Sequence, residues 1–354
     1  MSSRTDPEMG AAATSVDGAP PGPATAPPIL VTPALLRDWR LPAPGGSKYS
    51  RGQVLVVGGA RQTPGAVMLA GVTSLRVGAG RLTMSAARSV AGAMAVAVPE
   101  SGVVGLPENE SGSVLGKAAE QLRASIERAD AVLIGSGLDD PDETGSLLRQ
   151  VLPLIGERTL VVLDAFALGV LPGLNGADGV DALSGRLVLT PNDEEATRLL
   201  DDGHTGGRDG GHGGSDSGGG HGGGDSGGDS NDDDSQVALD IARKFGAVVS
   251  CRGRIAAPDG QQWEISTGYE GLGTSGSGDV LAGAVVGLLA RGASPSQAAC
   301  WATHAHAAAG DRLAAKVGAL GYLARELVDE LPAGADRTRH LTWMPVARCT
   351  GPGR

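Results

Sequence analysis

One stretch of this sequence puts an acid where an anion would be expected to bind. Gly268-Tyr-Glu-Gly-Leu-Gly-Thr-Ser-Gly-Ser-Gly-Asp-Val-Leu-Ala-Gly283 runs into the apolar segment AVVGLLARG, with glycines at 271, 273, 276 and 278 and Asp279 in the first turn of the helix that the apolar run predicts. The first N–H groups of a helix lack intrahelical acceptors and, with the helix dipole, form an anion hole. Glycine lets a phosphate approach backbone that a Cβ would block. A carboxylate has no place there if the loop only binds phosphate. It has one as the base that takes the proton of a hydroxyl being phosphorylated, while the surrounding amides stabilise charge on the transferring group.

Two plainer readings compete. An acid at a helix N-terminus is favourable by itself. Residues 271–276 also match G-x-G-x-x-G literally, but no Asp or Glu occurs from 280 to 310, where a ribose-binding acid should lie. No G-K-[ST] follows either, so the loop is not a P-loop, and Ser277 lacks the G-x-S-x-G elbow of a hydrolase nucleophile.

The elements that must position this loop alternate along the chain. Residues 53–57, QVLVV, read as a buried strand ended by Gly58-Gly59, and Pro64 opens a helix from its first turn. Further strands are expected at 81–85, 131–134, 159–163 and 186–190. Helices are expected at 114–128, 143–152, 193–200 and 236–245, with a short one capped at Thr32. That alternation predicts a three-layer α/β fold, a mostly parallel sheet with helices on both faces. Residues 1–28 read as a disordered tail, 29–335 as one domain, 201–235 as a flexible insertion and 336–354 as a second tail. His204, His212 and His221 fall in that insertion among aspartates and could be read as a metal tract. A flexible surface insertion fits better, because ordering so much glycine would cost any bound metal dearly.

Composition narrows the function classes. The 354 residues are 41% hydrophobic but only 3% aromatic, so the core must be built from Val, Leu and Ala. The net charge of −11, much of it in the insertion, gives no basic patch for nucleic acid. Cys251, Cys300 and Cys349 form no CxxC and no even set, which argues for a reducing cytosol; Cys251 reads as a small core residue. The first residues lack a signal-peptide pattern, and no apolar run is long enough to span a bilayer, so a soluble cytoplasmic protein is expected. His304 and His306, two apart on a helix, cannot chelate together; His306 is expected to pack or to make a hydrogen bond.

Several motifs in order resemble one family. Thr274-Ser-Gly-Ser-Gly-Asp279 looks like the GxGD signature of ribokinase-like enzymes. Ser47-Lys-Tyr-Ser-Arg-Gly52, VLVVGGA, Thr63-Pro-Gly-Ala-Val-Met-Leu-Ala70 and Ser74-Leu-Arg-Val-Gly-Ala-Gly80 resemble the N-terminal block of the ADP-dependent NAD(P)H-hydrate dehydratases. Gly135-Ser-Gly-Leu138 resembles that family's GPGLG turn, Val162-Leu-Asp-Ala165 its VLDAD strand end, Leu189-Thr-Pro191 its LTPHPGE, and His306-Ala-Ala-Ala-Gly-Asp311 its HGxAGD helix.

The resemblance implies a ribokinase-like fold and a repair reaction: phosphorylation of the ring hydroxyl of hydrated NADH or NADPH from ADP or ATP, with Mg²⁺ bridging phosphates, then loss of phosphate. It implies Asp279 as base and the amides of Gly276, Ser277 and Gly278 as holders of the phosphoryl group. It assigns Ala66, Gly137 and Asn192, with Asp279, to the hydrated cofactor. It assigns Arg252, Gly253, Arg254, Thr274 and Gly278 to the nucleotide, and by analogy it implies a homotetramer. The sequence departs from the family at Asn192 (for His), Phe166 (for the second acid of VLDAD), Arg252-Gly253 (for Lys-Gly) and Tyr269-Glu270 (for Asn-Pro). A small-molecule kinase of the same fold and a non-catalytic nucleotide-binding relative are the alternatives; Asp279 argues against the latter, since an anion beside phosphates gains a pure binder nothing.

Overall fold

In the computed structural model of the chain, the described residues are 27–43, 46–174, 179–201, 229–268 and 270–337. Among them ten strands form one sheet in the order β1-β10-β9-β8-β7-β6-β5-β2-β3-β4. The strands are β1 (Ile29–Leu30), β2 (Gln53–Val57), β3 (Arg81–Ala87), β4 (Ser101–Leu106), β5 (Ala131–Ile134), β6 (Leu160–Leu163), β7 (Leu187–Leu189), β8 (Val248–Cys251), β9 (Arg254–Ala256) and β10 (Gln262–Glu264). From β4 across to β8 every neighbouring pair is parallel; β9 is antiparallel to both β8 and β10.

Pleating divides each central strand between two cores. Val54 and Val56 of β2, with Ala131 and Leu133 of β5, join the helices α2 (Pro64–Arg76), α9 (Ser277–Ala290) and α10 (Pro295–Val317) on one face. Leu55 and Val57, with Val132 and Ile134, meet α4 (Ala119–Ile126), α5 (Pro141–Val151) and α8 (Asp229–Phe245) on the other. Both faces of the strands are therefore covered, which is why they read as unbroken apolar runs rather than alternating ones.

Local signals hold where they were strongest. The Thr32 hydroxyl accepts from the Leu35 N–H at 3.1 Å and caps α1 (Pro33–Asp38). Strands β2 and β5 have the expected bounds. The helix expected at 114–128 is instead a 3₁₀ turn, Gly116–Ala118, leading into α4. Helix α8 opens at Asp229 rather than at 236, inside the expected insertion, and α11 (Ala324–Arg337) runs past 335. Helix α3 (Arg88–Ala97) and strand β4 carry too much Ala and Gly for their periodicity to show. The expected tail over residues 1–26, most of the insertion with His204, His212 and His221, and residues 338–354 lie outside the described residues.

The chain runs from β2 outward through β3 to β4, then returns to place β5 on the other side of β2. Beyond the carboxyl ends of β2 and β5 the connections therefore diverge, and in an open α/β sheet this switch point is where a ligand crevice forms.

Candidate active site

Each strand end at that crevice delivers a loop residue. After β5 the turn passes through Gly135 (φ +129°), Ser136 and Gly137 (φ +72°). The Gly59 N–H donates to the Ser136 carbonyl at 2.9 Å, and the Ala60 N–H to that of Gly137 at 2.7 Å. The Thr63 hydroxyl also donates to the Gly137 carbonyl at 2.7 Å. A Cβ on Gly137 would lie 2.4 Å from the Thr63 carbonyl oxygen and 3.0 Å from the Ala66 Cβ. Two of the residues assigned to the hydrated cofactor, Ala66 and Gly137, are thus in contact across the β2–β5 crevice.

Helix α9 packs on α2, β2, β5 and β6. Its N-cap, Gly276, has φ +88°, a left-handed conformation that turns the loop sharply into the helix. A Cβ there would come within 2.6 Å of Leu69 Cδ1. Asp279 follows in the first turn, half-buried. The Ser277 N–H is already bonded to the Thr274 carbonyl at 3.1 Å, so this amide closes the turn. Gly278 is exposed at the second helical position, where no intrahelical acceptor exists for its N–H.

Burial raises the Asp279 pKa, and the hydroxyl of Ser136 opposes that rise. Beside it stands Asp164, just past β6 and 4% exposed. Its Oδ1 accepts from the Thr190 hydroxyl at 2.7 Å. Burial lifts Asp164 to about 7; the Thr190 bond opposes this, while the charges of Asp279 and Glu195 push the same way. Under the α9 terminus the Ser277 hydroxyl bonds His306 Nε2 at 3.0 Å. His306 is buried and held neutral by that burial, its pKa down at about 4. The expectation that His306 makes a hydrogen bond is thus met, and it anchors the glycine loop to α10.

Other expected residues have structural partners of their own. Asn192 caps α7 (Asp193–Leu200) in a capping box: its Oδ1 accepts from the Glu195 N–H at 2.9 Å, and Glu195 Oε2 accepts from the Asn192 N–H at 2.9 Å. Arg252 (φ +50°) pairs with Asp193 of α7 and, at 2.6 Å, with Asp234 of α8. Arg254 is buried in β9 and pairs with Glu264 of β10 at 2.7 Å. Phe166, with Ala165, Gly169, Val170, Pro141, Glu195 and Arg198, lines a depression of about 260 Å³ next to Asp164. Ser136, Asp164 and Thr190 each lie in a motif the sequence shows, but nothing local marks a serine or threonine that acts on a carboxylate from another element.

The chain is similar to known proteins of one family. Residues 54–333 match the family model described as NAD(P)H-hydrate dehydratase. A Xanthomonas campestris ADP-dependent (S)-NAD(P)H-hydrate dehydratase is 39% identical over 87% of this chain and 96% of its own length. A bifunctional NAD(P)H-hydrate repair enzyme of Moorella thermoacetica is 33% identical over 81% of this chain, which spans 50% of that longer protein. In fold, the chain superposes on a Bacillus subtilis ADP/ATP-dependent NAD(P)H-hydrate dehydratase, crystallised with ATP and Mg²⁺, with a TM-score of 0.65 at 22% identity over 88% of this chain and 99% of that one. It superposes on an Enterococcus faecalis ribokinase-like protein with a TM-score of 0.66 at 21% identity over 88% and 96%. On the match over most of its length, the chain belongs to the NAD(P)H-hydrate dehydratase family, with a ribokinase-like fold.

Proposed function

We propose that the protein is an ADP-dependent NAD(P)H-hydrate dehydratase that returns hydrated NADH and NADPH to their reduced, hydride-donating forms, with Asp279 as base. The observation that carries this is the position of Asp279: half-buried in the first turn of α9, at the switch point of the sheet, beside Asp164, whose pKa burial raises to about 7. Hydroxide is a poor leaving group from the nicotinamide ring and phosphate a good one. Asp279 takes the ring hydroxyl proton as the oxygen bonds to the terminal phosphorus of ADP and AMP leaves. Phosphate then leaves with the electron pair of its C–O bond, the proton of the neighbouring ring carbon is released to solvent, and the pair of that C–H bond forms the double bond of the dihydropyridine. The exposed Gly278 amide and the N-terminus of α9 supply fixed positive dipoles for the phosphoryl oxygens. Ala66 and Gly137 bound the hydrated cofactor, with Asn192 at the rim; Gly253, Thr274 and the basic Arg252 and Arg254 are assigned to the nucleotide.

A magnesium ion that arrives on the nucleotide needs no protein cage. Among the described residues no three His, Cys, Asp or Glu side chains gather into a metal cage. Magnesium at phosphates takes one or two carboxylates and keeps several waters. When bound, the ion neutralises charge on the transferring group.

The working compartment is assigned as the cytoplasm, where the buried free thiols Cys251 and Cys300 would stay reduced. Among the described residues no helix is long and apolar enough to cross a membrane. A homo-oligomer, a tetramer by resemblance, would cover the exposed Val96, Val317, Leu320 and Leu323. Residues 29–335 are assigned as the catalytic domain.

The test is incubation with purified hydrated NADH, Mg²⁺ and either ADP or ATP, following the absorbance of the reduced nicotinamide. Recovery is expected with ADP and falls by 10²-fold or more, on the order of a lost general base, in Asp279→Asn. No recovery with either nucleotide removes the dehydratase reading, and nucleotide consumption without recovery identifies a kinase. An unchanged rate in Asp279→Asn removes the base assignment.

A further inference from the structure

Ser136 is a polar residue at the crevice that neither the fold nor the reaction above has used. Its side chain is fully buried, and its Oγ makes no hydrogen bond within normal geometry. A buried hydroxyl left without a partner costs about 1–3 kcal/mol, so its placement calls for a reason. Its backbone is fixed: the Gly59 N–H holds the Ser136 carbonyl at 2.9 Å, and the flanking Gly135 and Gly137 both take positive φ. Helix α9 packs on β5, so the turn after β5 lies against the first turn of α9, and the Ser136 hydroxyl is near enough to the Asp279 carboxylate to act on it. The turn also carries serine where the related GPGLG turn carries proline, so the hydroxyl is a departure of this chain from that pattern.

We propose that Ser136 is the positioning residue of the Asp279 base: its hydroxyl swings onto one carboxylate oxygen when substrate enters, leaving the other aimed at the hydroxyl to be deprotonated. No bond is made or broken in this step; the serine proton remains on serine.

The charged surroundings make such a donor useful. Asp164, at the end of β6, adds negative potential whenever it ionises, and Glu195 on α7 acts on Asp164 from behind. From α10, His306 is neutral and already bonded to Ser277, so it offers no positive charge. Among the described residues no Lys or Arg is a cause of the Asp279 shift, whereas the Ser136 hydroxyl lowers it against burial. One hydroxyl is thus the group placed to favour the ionised base and to orient it once the bond forms.

This inference rests on the Asp279 base of the proposed function. Its test is the pH dependence of kcat for hydrated NADH with saturating ADP and Mg²⁺, which reads the base in the substrate complex where the bond forms, in wild type, Ser136→Ala and the equal-volume pair Ser136→Thr and Ser136→Val. Loss of the hydroxyl should move the acid limb to higher pH by about one pH unit, an approximately tenfold loss on that limb, with KM for ADP unchanged. Thr, which restores the donor, should keep the limb in place, while Val should displace it as Ala does. If either Ala or Val folds and leaves the limb where wild type has it, or if Thr and Val behave alike, Ser136 does not position the base. Asp279→Asn separates the two failures: an active Asp279→Asn overturns the base itself, whereas an inactive one with an unmoved Ser136→Ala limb overturns only the serine.

Discussion

The carboxylates of Asp164 and Asp279 face each other across the open end of the sheet, and the negative charge of Asp279 helps to hold Asp164 protonated. They come from different elements, the loop after β6 and the first turn of α9, and they are not equivalent. Asp164 is sealed and hydrogen-bonded by Thr190; Asp279 is half-open to the crevice and relieved by Ser136. The two environments differ, and the proposed base is the acid that the crevice can reach.

This difference is visible in stability. Asp164 has a folded pKa of about 7 against a reference of 3.8, so the native state binds more protons between these values. Its contribution is fully present below about pH 4 and is lost as the pH rises through about 7. Asp164→Asn, which cannot ionise, should gain stability relative to wild type across that window, by on the order of a few kcal/mol. Urea unfolding of both proteins from pH 4.5 to about 8 checks it; a difference that stays flat with pH would show that Asp164 is ionised throughout.

His306 slopes the other way. Its folded pKa, about 4, lies below the reference of 6.5, so its contribution is present above pH 6.5 and lost as the pH falls toward 4. His306→Gln keeps a hydrogen-bonding group near Ser277 but does not titrate. Wild type should be the more stable at neutral pH, and the gap should close or reverse near pH 4.5. Thermal unfolding in matched buffers reads this directly.

Arg252 tests the nucleotide assignment. Its ion pairs with Asp193 and Asp234 are exposed, and such pairs contribute about 0–1 kcal/mol each. A polyphosphate can therefore displace them at little cost. Arg252→Ala should raise the KM for ADP by about tenfold while moving the unfolding midpoint only slightly. A large loss of stability with an unchanged KM would mean that the arginine serves only to tie α7 to α8.

Gly137 is a site where backbone sets the limit. At φ +72°, with the Thr63 carbonyl 2.4 Å from any Cβ, alanine must strain the turn and move Thr63. Gly137→Ala should lose about 1–3 kcal/mol and weaken binding of the hydrated cofactor. Wild-type stability together with wild-type KM for the hydrate would remove Gly137 from the crevice.

The sequence alone determined the glycine loop that places Asp279 in a helix turn, the apolar strands β2 and β5, the Thr32 cap and the order of motifs that marks the family. Each is written within one short stretch of chain. The tertiary structure alone decided which distant groups act on Asp279. Asp164, Ser136 and Thr190 reach the same crevice because parallel strands deliver their carboxyl ends to one edge. It also decided that Arg252 is shared by aspartates of two helices. Burial and close approach between residues far apart in sequence have no local periodicity, and those two quantities set the protonation of a carboxylate.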